Sequence, residues 1–242
     1  RAFMHFELLR LFSESIIQNP NATGIPYREN YTYQVTPFDP ISVSYNKIIR
    51  DFKEAERLLT AHGEYFDRTD ENAGGFVKDR VIHMNLYAVQ ALLARVYWEK
   101  GDLETAKNYA MKVIDCPFFS MEDKTNVEDI MNGVISDKET IWGLYSEEFP
   151  NYTRSVMYSS GGSYYYDPKP DYREIYEVDQ DGFDYRLDKW FQTLADHGAE
   201  GLRCMKVVDR FKVRLQTRPV TKLSGINMIR LPELYYIVAE YY

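Results

Sequence analysis

The stretch that most constrains the fold is Asn85 to Pro117, NLYAVQALLARVYWEKGDLETAKNYAMKVIDCP, where two helical patterns meet at Gly101-Asp102. In the first, Leu86, Val89, Leu93 and Tyr97 recur at helical spacing, and Met84, Ala88, Ala91 and Leu92 mark a second apolar face. A helix apolar on two sides has to be covered on two sides, so other helices must pack around it. The second pattern puts Leu103, Ala106, Ala110, Val113 and Ile114 on one stripe and leaves Glu104, Lys107 and Lys112 for water. The small Ala106 and Ala110 let the two backbones approach closely. Gly101 accepts the left-handed conformation that ends a helix, Asp102 is suited to cap the next one, and Pro117 closes the pair.

This hairpin resembles one tetratricopeptide unit of about 34 residues. Tyr97 takes the first-helix aromatic position, Gly101-Asp102 the turn and Ala106 the small residue of the second helix. An ordinary helical hairpin without repeat relatives is the plain alternative. Around it, Phe3, Phe6, Leu8, Leu9 and Phe12 predict a helix over Ala2 to Phe12. Ser13 to Pro40 reads as a long loop, extended at Gly24-Ile25-Pro26-Tyr27 because Pro26 biases Ile25 away from helix. Ser42 is placed to cap a helix through Tyr45, Ile48, Ile49, Phe52, Ala55, Leu58 and Leu59 that stops near Gly63. Glu64 to Phe76 reads as loop, and Lys78 to Lys100 as the first helix of the central pair.

Beyond Pro117 the patterns are short and broken by Gly, Pro, Asn and Asp. Glu139 to Leu144 predicts a short buried strand, Asn151 to Asp171 an aromatic loop, and Arg203 to Lys222 a basic solvated face. Helix returns at Leu231, with Pro232 suited to its first turn. The expected fold is therefore mainly α: a tetratricopeptide-like helical-hairpin scaffold with an irregular, loop-rich insert containing a few short strands. Residues 1–117 form the scaffold, 118–225 the insert and 226–242 the returning helix of one structural domain.

A formal net charge of −8 argues against sequence-independent nucleic-acid binding, which needs cations to neutralise phosphate. Of the 242 residues, 21 are Tyr, a side chain that packs at one end and hydrogen-bonds at the other. So many point to recognition of something amphipathic. Cys116 and Cys204 are too few for a disulfide framework or a thiolate metal site, and no apolar run of about 18 residues exists to span a membrane. Arg1 opens directly into helical pattern and Tyr242 closes inside one, as in a fragment of a longer protein.

Several stretches, in order, resemble the SusD/RagB family of glycan-binding outer-membrane lipoproteins of Bacteroidetes. They are Arg1 to Leu8 (RAFMHFEL), Gly24 to Tyr27, Tyr45 to Leu59 (YNKIIRDFKEAERLL), Tyr87 to Asp115, Lys138 to Trp142, Asp184 to Leu187 and Met228 to Glu240 (MIRLPELYYIVAE). The resemblance implies a helical scaffold that docks on a TonB-dependent transporter and captures oligosaccharides without catalysis. It implies the outer membrane as location, reached through a lipid anchor that these residues do not include. A peptide-binding member of the same family, or a purely protein-interaction scaffold, is the alternative.

The stretch Phe149 to Tyr166, FPNYTRSVMYSSGGSYYY, is the expected ligand platform. Sugar rings present C–H faces that pack on aromatic rings, and their hydroxyls need polar partners. Tyr152, Tyr158, Tyr164, Tyr165 and Tyr166 supply faces, Asn151, Arg154, Asp167 and Asp171 supply polar groups, and Gly161-Gly162 lets backbone approach a ligand. A loop whose tyrosines pack on the scaffold is the competing reading. Trp142 reads as core, whereas Trp190 is divided between core and site. Glu177 to Asp188 imitates a calcium loop only faintly, so no metal and no cofactor is expected. The histidines His5, His62, His83 and His197 lack metal-ligand spacing, and no nucleophile elbow or phosphate loop appears. A carboxylate pair for glycoside hydrolysis is not singled out by spacing.

Overall fold

The computed structural model describes residues 1–62, 79–122, 135–136, 138–149, 152, 191–194, 201–204 and 223–242. Two compact units divide the chain: Arg1–Ser120 with Ile229–Tyr242, and Met121–Met228. The first holds helices α1 (Ala2–Phe12), α2 (Ile41–His62), α3 (Leu86–Glu99), α4 (Leu103–Ile114) and α5 (Leu231–Tyr241). Helix α1 packs on α2, α2 on α3, and α3 on α4 as a hairpin, while α5 lies against α4 and along α3.

The apolar spacing explains that order. In α3, Ala88, Leu92, Leu93, Ala94 and Val96 are all fully buried, so the helix is covered on two sides as its sequence requires. Ala106 and Ala110 of α4 are buried beneath neighbouring helices, and Leu234 and Ile237 of α5 complete the layer. Gly101 ends α3 at φ 83°, and the Asp102 carboxylate accepts the Thr105 N–H at 3.1 Å. Both are the hairpin devices the sequence announced. The fold is mainly α, with a few short strands, in agreement with the sequence reading.

Two boundaries differ from expectation. Helix α3 begins at Leu86 rather than Lys78, because the buried Asn85 caps it: its Oδ1 accepts the Ala88 N–H at 2.9 Å. Residues Arg80–Ile82 instead form one 3₁₀ turn, entered through Asp79 in the left-handed region. Helix α2 begins at Ile41, so Ser42 lies inside the first turn and does not cap it. The Ser42 N–H is satisfied by the Pro20 carbonyl at 2.9 Å, part of the bonding of residues 20–25 to 39–42.

In the second unit β1 (Thr140–Tyr145) pairs with β4 (Gly225–Arg230), whose last two residues lead into α5. Trp142 is buried at 6 % exposure, as expected of a core residue. Strands β2 (Phe191–Leu194) and β3 (Gly201–Cys204) pair antiparallel, Phe191 opposite Cys204 and Leu194 opposite Gly201. A polar cluster joins the residues where the chain enters this unit to those where it leaves. Ser136 Oγ donates to Glu122 at 2.8 Å, the Glu122 N–H donates to Glu139 at 2.8 Å, and the Ser136 N–H donates to Asn227 Oδ1 at 3.3 Å.

Alternate helices of the first unit are also tied by charge. Arg95 of α3 donates to both carboxylate oxygens of Glu233 on α5, at 2.5 and 2.7 Å, and reaches Glu7 of α1 at 3.6 Å. Burial works against the Arg95 charge, and Glu233, with Glu7 and Glu99, outweighs it and holds the guanidinium protonated. Replacing Arg95 by Ala leaves both carboxylates without their shared cation. Since Glu233 and Glu7 keep about a third of their exposure, Arg95→Ala should cost about 2 kcal/mol, less than a fully buried pair would. A urea titration should show a lower midpoint at unchanged slope, and Arg95→Lys should recover only part of the loss.

Candidate functional site

Tyrosine is the side chain on which the functional reading rests, and the structure divides its copies into two sets. Tyr27, Tyr45 and Tyr97 are buried. Tyr27 donates its hydroxyl to Asp51 at 2.6 Å, Tyr45 to Glu99 at 3.1 Å and the part-buried Tyr109 to Glu56 at 3.2 Å. Tyr97 stacks on Tyr109 with ring centroids 5.8 Å apart. Burial, then the adjacent carboxylate, pushes the Tyr27 phenol far up and keeps it a donor. These tyrosines tie helices to one another, or in the case of Tyr27 the connecting segment to α2, and serve the scaffold. That narrows the sequence argument, which rested on 21 tyrosines, to those at the surface.

The second set faces solvent. Tyr31 and Tyr33 are fully exposed on the loop between α1 and α2, and Tyr236 is 75 % exposed on α5. Of the expected platform, Tyr152 is described: it is 66 % exposed, and its N–H donates to the Glu148 carbonyl at 3.0 Å. Asn151, Arg154, Tyr158, Tyr164, Tyr165, Tyr166, Asp167, Asp171 and Trp190 lie outside the described residues, as does the Glu177 to Asp188 stretch.

A groove of about 740 Å³ opens in the helical unit, with Arg10, Ile17, Tyr45, Trp98, Glu99 and Glu240 among its lining. Two pairs of its polar side chains are spent on one another. Arg10 Nε meets Glu99 at 2.5 Å, and Trp98 Nε1–H donates to Glu240 at 2.6 Å. Together with Arg95 these form a seam across α1, α3 and α5, in which Arg95, Trp98 and Glu99 share one face of α3. Sequence reading passed over this seam. Its signal is three polar or amphipathic residues at i, i+3 and i+4 on a helix otherwise dominated by apolar residues.

The catalytic inventory stays thin. No group of three His, Cys, Asp or Glu that could hold a metal ion occurs among the described residues. Cys116 is a buried free thiol. His5 bonds to main chain rather than to a polar cluster, at 3.0 Å from the Arg1 carbonyl and 3.0 Å from the Arg28 amide. No described helix is long and apolar enough to cross a membrane.

With the helical order established, known structures can be set beside it. A SusD-like carbohydrate-binding protein of Bacteroides vulgatus superposes over 100 % of this chain with a TM-score of 0.70 and 22 % identity. The chain has the SusD-like fold. A SusD superfamily protein of Bacteroides thetaiotaomicron gives TM-score 0.70 at 19 % identity, again over 100 % of this chain. The surface glycan-binding protein A of Bacteroides uniformis gives 0.57 at 17 % identity over 98 %. The chain spans about half the length of these structures: 48, 52 and 53 % respectively. No family model and no curated protein sequence matches it. Within the SusD-like fold, the tetratricopeptide-like reading of Asn85 to Pro117 becomes one hairpin of a longer helical layer.

The groove yields one test of its own. Burial raises the Glu99 carboxyl above its ordinary range, and the charge of Arg10 with the bonds from Tyr45 and Arg10 offsets this only in part. A carboxyl whose folded value is raised adds stability below its unfolded value and loses it as pH rises through the folded one. At neutral pH the Glu99 charge is therefore a net cost. Glu99→Gln should leave neutral-pH stability unchanged or higher. Thermal melts from pH 7 down to pH 4 should show wild type gaining on the variant as the pH falls.

Proposed function

We propose that this chain is part of a SusD-superfamily protein that captures an oligosaccharide without turning it over. The observation that carries this reading is the correspondence of the whole chain to structures described as carbohydrate-binding and surface glycan-binding. The sequence resemblance supports it through the same order of motifs, from Arg1 to Leu8 through Met228 to Glu240. The chemistry is consistent. An exposed ring such as Tyr152 offers a face to the C–H side of a sugar, and the tyrosine-rich stretch that follows supplies more rings beside Asn151 and Arg154. Trp190 is a further candidate face.

The finer reading belongs to the same proposal. Capture takes place at the outer membrane, the anchor lies outside these residues, and the partner is a TonB-dependent transporter that receives the glycan. Binding needs neither a metal nor a cofactor, because stacking and hydrogen bonds supply the affinity. Modest affinity suits this role, since a ligand held too tightly would not be passed on.

Calorimetry of the full-length protein against a glycan panel tests the reading. One plant, host or microbial glycan should bind saturably with no product released. Changing Tyr164, Tyr165 and Tyr166 together to Ala should weaken it at least about tenfold, the loss expected when hot-spot rings are truncated. Unchanged affinity in the triple variant would remove the site from this stretch, and release of shortened glycan would overturn capture without turnover.

A further inference from the structure

His5 occupies the first turn of α1, half-buried, with both ring nitrogens in bonds to main chain. Nδ1 lies 3.0 Å from the Arg1 carbonyl oxygen, and the Arg28 backbone N–H points at Nε2 across 3.0 Å. A carbonyl can only accept and a backbone N–H can only donate. The two bonds therefore coexist in one form of the ring, neutral with its proton on Nδ1 and a lone pair on Nε2. The imidazole also stacks on Tyr27, with centroids 4.1 Å apart and planes at 29°.

The residue held by that bond holds a loop in turn. The Arg28 guanidinium folds back onto the carbonyls of Thr32 and, at 3.1 Å, Gln34. Between these anchors stand Tyr31 and Tyr33, both fully exposed. We propose that His5 is a pH-sensitive latch: while neutral it fixes the Arg28 amide, and on protonation it releases the loop from Arg28 to Gln34. Protonating Nε2 sets two donors head-on, so the bond cannot survive, and the exposed Arg28 amide turns to water.

The surrounding charges do not rescue the bond. Arg1, the N-cap of α1, and Arg28 on the connecting segment touch the ring through main chain, their guanidinium groups being bonded elsewhere, and Lys47 of α2 sits 5.8 Å over the Tyr27 ring. The nearby carboxylates are engaged. Asp51 of α2 accepts from Arg1, Tyr27 and Arg50, and Glu29 pairs with Arg50 at 3.1 Å and Lys47 at 3.9 Å. An imidazolium at His5 therefore finds these carboxylates already taken. The latch is closed while the ring is neutral and opens when Nε2 takes a proton. It stands on contacts of the helical unit alone and does not depend on which ligand the protein takes.

Nitrogen-15 NMR of the full-length protein labelled at histidine and arginine, followed from pH 8 to pH 5, tests it. At pH 8 the His5 ring shifts should report a proton on Nδ1. The Arg28 amide should then move with the same midpoint as the His5 ring. Hydrogen exchange over residues 28–34, corrected for intrinsic rate, should speed up about fivefold across that midpoint, the ratio that losing one neutral hydrogen bond brings. His5→Gln, which places a non-titrating acceptor near the position of Nε2, should abolish the pH step and keep the protection. A proton on Nε2 at pH 8, an Arg28 amide that ignores the His5 titration, or a step that persists in His5→Gln would overturn the latch. Should the variant fail to fold, the ring and amide shifts of the wild type decide alone.

Discussion

The Arg95 guanidinium is the contact on which the helical unit turns. It sits on α3, the helix buried on two sides, and grips Glu233 of α5 through two parallel bonds while reaching Glu7 of α1. Residues nearly 140 positions apart in sequence are thus brought to one point. Apolar packing is non-directional and would tolerate α5 sliding along α4. A bidentate arginine–carboxylate pair is not tolerant, because its two bonds fix both distance and angle. Arg10 with Glu99 and Trp98 with Glu240 repeat the arrangement further along α3. The result is a groove crossed by side-chain pairs from facing helices, suited to holding those helices in register.

A second consequence concerns tyrosine. Its ring packs like a core residue and its hydroxyl seeks an acceptor, so it serves equally well between helices and at a surface. Tyr27, Tyr45 and Tyr109 end on Asp51, Glu99 and Glu56 and are structural. Tyr31, Tyr33 and Tyr152 are exposed. Composition reports only the sum of the two uses. Burial separates them, and burial depends on contacts between segments far apart in the chain.

The sequence was most legible where the physics is local. Helix α1 runs over the expected residues, and the Gly101-Asp102 turn is built from a left-handed glycine and a side-chain cap. Strand β1 and the start of α5 at Leu231 also lie where pattern placed them. The start of α3 was misplaced because apolar residues continue ahead of Asn85, and periodicity does not see a cap that ends in a buried hydrogen bond. Ser42 suits a cap by residue type, whereas α2 begins one residue ahead of it, at Ile41. The polar seam escaped for a related reason: Arg95, Trp98 and Glu99 look like an exposed stripe until α1 and α5 close over them.

By itself the sequence determined that this chain builds helices, where most of them begin and end, and which faces are apolar. Spacing, caps and turn residues act within a few positions and are written in order. Only the tertiary structure decided which charges meet, which tyrosines are spent on the scaffold, and that the two bonds of His5 require one protonation form. Those outcomes depend on groups brought together from distant segments, where burial and geometry rather than sequence neighbours set the energy.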